Sequence, residues 1–215
     1  MKTKKVYLSF VFIILALHNI LAQDEYFNRV FYYNVSNALF GVVVKDTFYY
    51  SAGTIRDSIN AGKCRVFINK VSQNGDIIWS KSWGEANKDY VAAWKSPLIH
   101  THDNGFAIIG GILDSTSFWH SYLMKFNSNF DTLWKKEFYD TISTYPVKFL
   151  GFNNIKETSD KGFIIVGEVQ ANHQYDTEIY LIKTDSVGET EWFKTHGHPK
   201  TIDRGFSVIQ IPDTG

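Results

Sequence analysis

Apolar residues along this chain come in short uninterrupted runs. The stretches Phe106-Ala107-Ile108-Ile109 and Phe163-Ile164-Ile165-Val166 are apolar at every position, and each is followed by a glycine, Gly110 or Gly167. Strands with apolar residues on both faces must be covered on both sides. Asp103-Asn104-Gly105 and Asp160-Lys161-Gly162 precede these runs and read as turns. In the last third of the chain further strands are predicted at about 153–158, 178–184 and 189–195. Past the leader no 12-residue window has helical periodicity, so the pattern predicts an all-β protein.

The runs belong to an internal repeat, the signature of stacked supersecondary units. Tyr49-Tyr50-Ser51-Ala52-Gly53 aligns with the two runs above, placing glycines at 53, 110 and 167, a step of 57 each time. Asp46-Thr47 keeps that step ahead of the first copy. Lys70, Lys125 and Lys183 each lie nine residues before a tryptophan, Trp79, Trp134 and Trp192. A glycine recurring within a buried strand predicts close approach of another backbone layer. In the Asp-x-Gly turns the glycine is expected to supply positive φ. A two-residue turn at Asn74-Gly75 would pair 71 with 78 and set Lys70 opposite Trp79, where a cation–π contact is worth about 0.5–1 kcal/mol. Asp185-Ser186-Val187-Gly188 suits a four-residue turn, which would shift that register, so both registers stay open.

Four strands per unit of about 57 residues match a propeller blade. The third copy runs Asp160-Lys161-Gly162-Phe163-Ile164-Ile165-Val166-Gly167, then Leu181-Ile182-Lys183-Thr184-Asp185, Gly188, Trp192-Phe193-Lys194 and Gly197. It resembles the long-blade β-propeller repeats of secreted Bacteroidetes-type proteins, with departures at Phe130 and Phe48 where that pattern has glycine. The resemblance implies export, often with a C-terminal sorting domain, to which nothing here corresponds. It implies four-stranded antiparallel blades in an incomplete ring of three blades and the start of a fourth. The expected segments are a signal peptide at 1–22, an N-terminal strand or linker at 23–37, and blades at 38–96, 97–151 and 152–205. Residues 206–215 are expected as the first strand of a truncated fourth blade, so the chain reads as the N-terminal part of a longer protein. Tyr26-Phe27-Asn28-Arg29-Val30-Phe31-Tyr32-Tyr33 is a candidate strand for a closing blade.

The leader supports export. Lys2, Lys4 and Lys5 precede an apolar run from Val6 to Leu17, and Ala22 offers a small residue at the cut, as in a cleavable signal peptide. Twelve apolar residues broken by His18 and Asn19 fall short of the roughly 20 a spanning helix needs. Cleavage removes three lysines and no acid, turning a formal charge of zero over 215 residues into 19 basic against 22 acidic groups. That balance excludes nucleic-acid binding by bulk positive charge. The lone Cys64 excludes a disulfide scaffold and reads as a small apolar strand residue.

Candidate chemistry is sparse. His100-Thr101-His102 and His196-Gly197-His198 place alternate histidines on one strand face, a spacing that can share a metal. Against this, His100 aligns with Lys156 and Gln210 in the other units, and His196 takes the place of the aromatic residues Trp83 and Phe138. Asp89, Asp140 and Asp203 fall in connections between units and read as turn residues. Nucleophile elbows, zinc-protease helices, phosphate loops and EF-hand runs are missing from the sequence, so no catalytic or cofactor-binding residue is assigned. The piece from Asp185 to Trp192 also resembles the tryptophan-docking repeat of quinone-dependent dehydrogenases, whose calcium-holding site is not seen. The 35 aromatic residues are mostly accounted for by strand packing. The sequence therefore leans to a non-catalytic secreted module that binds a protein or glycan at the cell surface. The alternative is the propeller part of a larger secreted enzyme, a hydrolase or less readily a quinone dehydrogenase.

Overall fold

The computed structural model describes residues 36–56, 62–115, 119–141, 149–170 and 176–211. These belong to one compact unit within Phe31–Gly215. The leader, the Tyr26–Tyr33 stretch and residues 212–215 lie outside the described residues.

All the strands described fall into three antiparallel sheets. The first runs β1 (Asn37–Lys45), β2 (Phe48–Arg56), β3 (Cys64–Val71), β4 (Ile77–Trp83) in chain order. In the second, β5 (Asp89–Ala92) and β6 (Leu98–His100) share β7 (Phe106–Leu113), followed by β8 (Trp119–Phe126) and β9 (Thr132–Phe138). The third is β10 (Leu150–Glu157), β11 (Phe163–Gln170), β12 (Thr177–Thr184), β13 (Thr190–His196). Among the described residues no helix is long and apolar enough to cross a membrane.

The central sheet explains the two-sided apolar runs. On β7, Phe106, Ile108 and Ile112 face a core shared with Tyr50, Ala52, Val66 and Ile68 of the first sheet. The alternating residues Ala107 and Ile109 face a second core with Phe152, Phe163, Ile165 and Ile182 of the third. Period-two alternation therefore feeds two cores from one strand, and both sets of side chains are buried.

Three local expectations are corrected. The recurring glycines do face a close backbone, but it is the neighbouring strand of their own sheet. A Cβ on Gly53, Gly110 or Gly167 would lie 1.9 Å from the carbonyl oxygen of Ala38, Val91 or Gly151. The edge strand β1 or β10 bulges just past these positions, between Leu39 and Gly41 and between Phe152 and Asn154, and turns a carbonyl toward the glycine. Second, positive φ in the Asp-x-Gly turns falls on the middle residue, Asn104 (62°) or Lys161 (66°). Gly105 and Gly162 are needed for room: a Cβ would sit 2.3 Å from the Phe126 carbonyl or 2.1 Å from that of Thr184.

Third, the β3–β4, β8–β9 and β12–β13 hairpins share one geometry, neither a two- nor a four-residue loop. In the first, Gly75 N donates to the Ser72 carbonyl at 3.0 Å and Ser72 N to that of Asp76 at 2.9 Å, which closes a three-residue loop. Asn127 with Phe130 and Asp185 with Gly188 repeat the pattern. Residues 75, 130 and 188 carry positive φ, and the bulge that follows aligns Val71 with Ile77. Lys70, Lys125 and Lys183 lie opposite Trp79, Trp134 and Trp192 all the same.

Candidate functional site

The repeated lysines mark the most regular polar feature of the sheets. The Lys125 ammonium is buried and lies 2.9 and 2.7 Å from the Asp103 carboxylate oxygens. Asp103 also accepts from the Thr101 hydroxyl at 2.6 Å and the Gly105 amide at 3.0 Å. Lys183, Asp160, Thr158 and Gly162 repeat the arrangement, with 2.8 Å between Lys183 and Asp160. The expected cation–π contact with tryptophan is therefore replaced by an ion pair to the Asp-x-Gly turn, because a buried ammonium needs a carboxylate. In the first unit Phe48 stands where Gly105 and Gly162 stand, and Lys70 rests over its ring at 3.7 Å. Partial burial pushes the Asp103 carboxyl up, but the bonds from Lys125, Thr101 and the Gly105 amide outweigh it and bring the pKa down to about 2. The corresponding bonds from Lys183, Thr158 and the Gly162 amide hold Asp160 far below the usual carboxylate range.

Trp79 and Trp134 face forward, each onto the last hairpin turn of the next sheet. Trp79 meets Phe130 edge-on at 5.1 Å, and Lys81 donates to the Asn129 carbonyl at 2.8 Å. One sheet on, Trp134 lies against Gly188, where a Cβ would be 2.7 Å from its ring, and Lys136 pairs with Glu189. Phe130 departs from glycine because its ring fills the first interface, stacked on Phe106 at 4.2 Å and on Tyr50 at 5.5 Å. In the third sheet Trp192 holds the equivalent place and is 41% exposed.

The histidine pairs do not converge. His102 Nδ1 and its backbone amide both lie 2.7 Å from Glu157 Oε2. The His100 ring packs edge-on against Phe106 at 5.5 Å, and burial displaces its pKa downward. The pairing of His100 with Phe106 and of Glu157 with Phe163 aligns His100 with Glu157, one place beyond the Lys156 expected. That position stitches units together: Glu157 caps the His102 amide, and Gln210 Oε1 accepts the Ser159 amide at 2.8 Å. Residues 206–211, expected as a strand, join no sheet ladder and are held by such side-chain bonds. His196 lies opposite Ile179 at the aromatic slot and is exposed, and the His198 amide donates to Asp203. Among the described residues no three His, Cys, Asp or Glu side chains gather as a metal cluster. A cleft of about 660 Å³ opens between β1, β6 and β10, lined by Val42, Val43, His100, Lys156 and Glu157.

A second polar network, not anticipated from the sequence, ties the connection after the first sheet to the second sheet. His120 is buried, stacks on Tyr139 at 4.4 Å, and has Nε2 at 3.1 Å from Glu137. Glu137 accepts from the Tyr139 hydroxyl and from Lys135, each at 2.7 Å. Lys135 also donates to Glu85 and to the Tyr90 hydroxyl, each at 2.7 Å. The bonds from Lys135, Tyr90 and Lys88 bring Glu85 down to about 2. Burial, reinforced by Glu85, pushes Tyr90 up to about 12. The bond to Glu137, with burial, takes Tyr139 to about 12 as well. These shifts move the groups away from neutrality, the reverse of what acid–base catalysis near pH 7 needs.

Asp89, expected in a connection, instead opens β5, and Asp89 and Asp203 act as acceptors. Asp89 takes the Cys64 amide at 2.7 Å and the Lys63 ammonium at 3.0 Å. Asp203 takes the Thr201 hydroxyl and the His198 amide, and Asp140 is buried. No protein-family model and no curated protein matches this chain.

Proposed function

We propose that this chain is an exported β-propeller repeat protein of the Bacteroidetes-type long-blade kind, its three sheets serving as blades. In this reading it is a non-catalytic binding or scaffold module at the cell surface, with a protein or glycan as ligand. One observation carries it: the forward contact of Trp79 and Lys81 with the next outer turn recurs at Trp134 and Lys136. A contact repeated in the same direction is what a constant rotation between blades produces. Further support comes from β1, β6 and β10 sharing one cleft, as innermost strands around an axis do. The leader at 1–22 supports export. The polar groups at the sheet junctions are committed to ion pairs and turn caps, which supports a binding rather than a catalytic role.

Expression with the leader in a Gram-negative host, followed by fractionation and N-terminal sequencing, tests the export half. A product starting at Gln23 outside the inner membrane is expected, and an uncleaved cytoplasmic product overturns it. Incubating the purified product with cells of the source organism tests the binding half. Saturable surface binding is expected, and its absence on cells that retain their surface glycans and proteins overturns that half.

A further inference from the structure

The first strand segment of the central sheet departs from those of the other two. In the first and third sheets the innermost strand bulges by one residue, Phe40 or Asn153. In the second, Ala92 lies opposite Gly110 and Leu98 opposite Ile108, so the five residues 93–97 oppose Ile109 alone. Ala93 N donates to the Ile109 carbonyl at 3.1 Å and Ile109 N to that of Pro97 at 2.9 Å. The ladder thus closes on both sides of an excursion that carries Trp94 outward, 72% exposed. Enlarged bulges re-aim side chains, and a large apolar ring held in water gains nothing for folding.

Trp94 borders a cleft of about 220 Å³ between the second and third sheets. Its floor is aromatic, with Trp119 and Phe149 stacked at 6.3 Å and 27°. Two glycines let these rings lie flat on the sheets. A Cβ on Gly111 would sit 2.2 Å from the Trp119 ring, and one on Gly151 2.7 Å from that of Phe149. At the rim stand Asn153 and Glu168. Glu168 pairs with Arg204 at 2.5 Å, so the rim carries hydrogen-bonding groups but little net charge.

We propose that this cleft binds a neutral oligosaccharide, one sugar ring stacking on the Trp94–Trp119–Phe149 surface with its hydroxyls toward Asn153 and Glu168. The assignment rests on the binding-module reading above and names its ligand class. The exposed Trp94 face and the half-buried Trp119 and Phe149 rings suit the C–H faces of a pyranose. Asn153, whose amide nitrogen donates to the Gly205 carbonyl at 3.0 Å, and Glu168 offer acceptor oxygens to equatorial hydroxyls. The volume is below the roughly 300–1,000 Å³ that encloses a whole drug-sized ligand, which fits one ring of a longer chain. A neutralised rim offers an anionic ligand no counter-charge.

Titration calorimetry of the purified full-length protein with cellohexaose, xylohexaose and chitohexaose tests it. At least one is expected to bind saturably with a Kd under about 1 mM, equivalent to −4.1 kcal/mol. Trp94→Ala should weaken that binding at least tenfold with an unchanged melting temperature, since the ring is exposed. Trp192→Ala, an exposed tryptophan on another face, should leave it as it was. Failure of all three sugars to bind overturns the cleft assignment, as does equal binding by Trp94→Ala. Neither result touches the binding-module reading, which stands or falls on binding of the purified protein to cells.

Discussion

Phe130 offers the sharpest test of how the sheets are joined. It has φ of 62°, a left-handed conformation that costs a non-glycine residue about 1–2 kcal/mol, yet its side chain is 2% exposed between Phe106, Tyr50 and Trp79. Truncating a buried phenylalanine to alanine costs about 3–5 kcal/mol, and Phe130→Ala keeps most of the backbone strain. Phe130→Gly removes the same ring and releases the strain. Glycine should therefore be the milder replacement by about 1 kcal/mol, the reverse of the usual order within regular structure, where glycine is worse than alanine by roughly 0.5–1 kcal/mol. For a chain of this size 1 kcal/mol moves the melting temperature by about 2–4 °C. Phe130→Ala should thus melt about 6–20 °C below the parent, and Phe130→Gly about 2–4 °C above the alanine variant. Differential scanning calorimetry with urea unfolding as a second probe measures both. A glycine variant equal to or less stable than the alanine variant would refute the strain argument. A loss under about 1 kcal/mol in both would refute the role of the ring in the interface.

The buried ion pairs should respond asymmetrically. Asp103→Ala strands a buried ammonium and should cost about 2–3 kcal/mol, whereas Lys125→Met leaves the half-exposed Asp103 to water and should cost under about 1 kcal/mol, both read by urea unfolding. Because the Asp103 pKa is lowered on folding, from 3.8 to about 2, its contribution is complete above about pH 4 and disappears toward pH 2. Unfolding free energies across that window should fall less steeply in Asp103→Asn. Gly110→Ala drives a methyl against the Val91 carbonyl and should cost about 3 kcal/mol or more, visible as lost soluble yield or a lowered urea midpoint.

Much of the architecture follows from spacing alone. The apolar runs at 106–109 and 163–166, the step of 57 and the nine-residue Lys–Trp interval depend only on period-two alternation and hairpin length, which are local. The location of positive φ at Asn104 and Lys161, and not at the glycine that the sequence points to, depends on how the Asp carboxylate takes the following glycine amide. Phe130 is visible in the sequence as a missing glycine, but the neighbouring sheet that rewards its ring is not. The Trp94 excursion is hidden by compensation: the connection ahead of β5 is shorter than that ahead of β10 and the β2–β3 connection is longer than that from β7 to β8, and together they keep the glycine step at 57. Pro97, within what reads as an inner strand, is the one local sign of the break. The network at His120, Glu137, Lys135 and Tyr90 joins residues of three strands and a connection, which no single window brings together.

An experimental structure of the purified protein tests the central claim most directly. The account predicts three sheets related by successive rotations about one axis, with β1, β6 and β10 innermost and Trp79 and Trp134 each against the outer turn of the next sheet. Sheets stacked without a common axis, or tryptophans turned away from those turns, would contradict it.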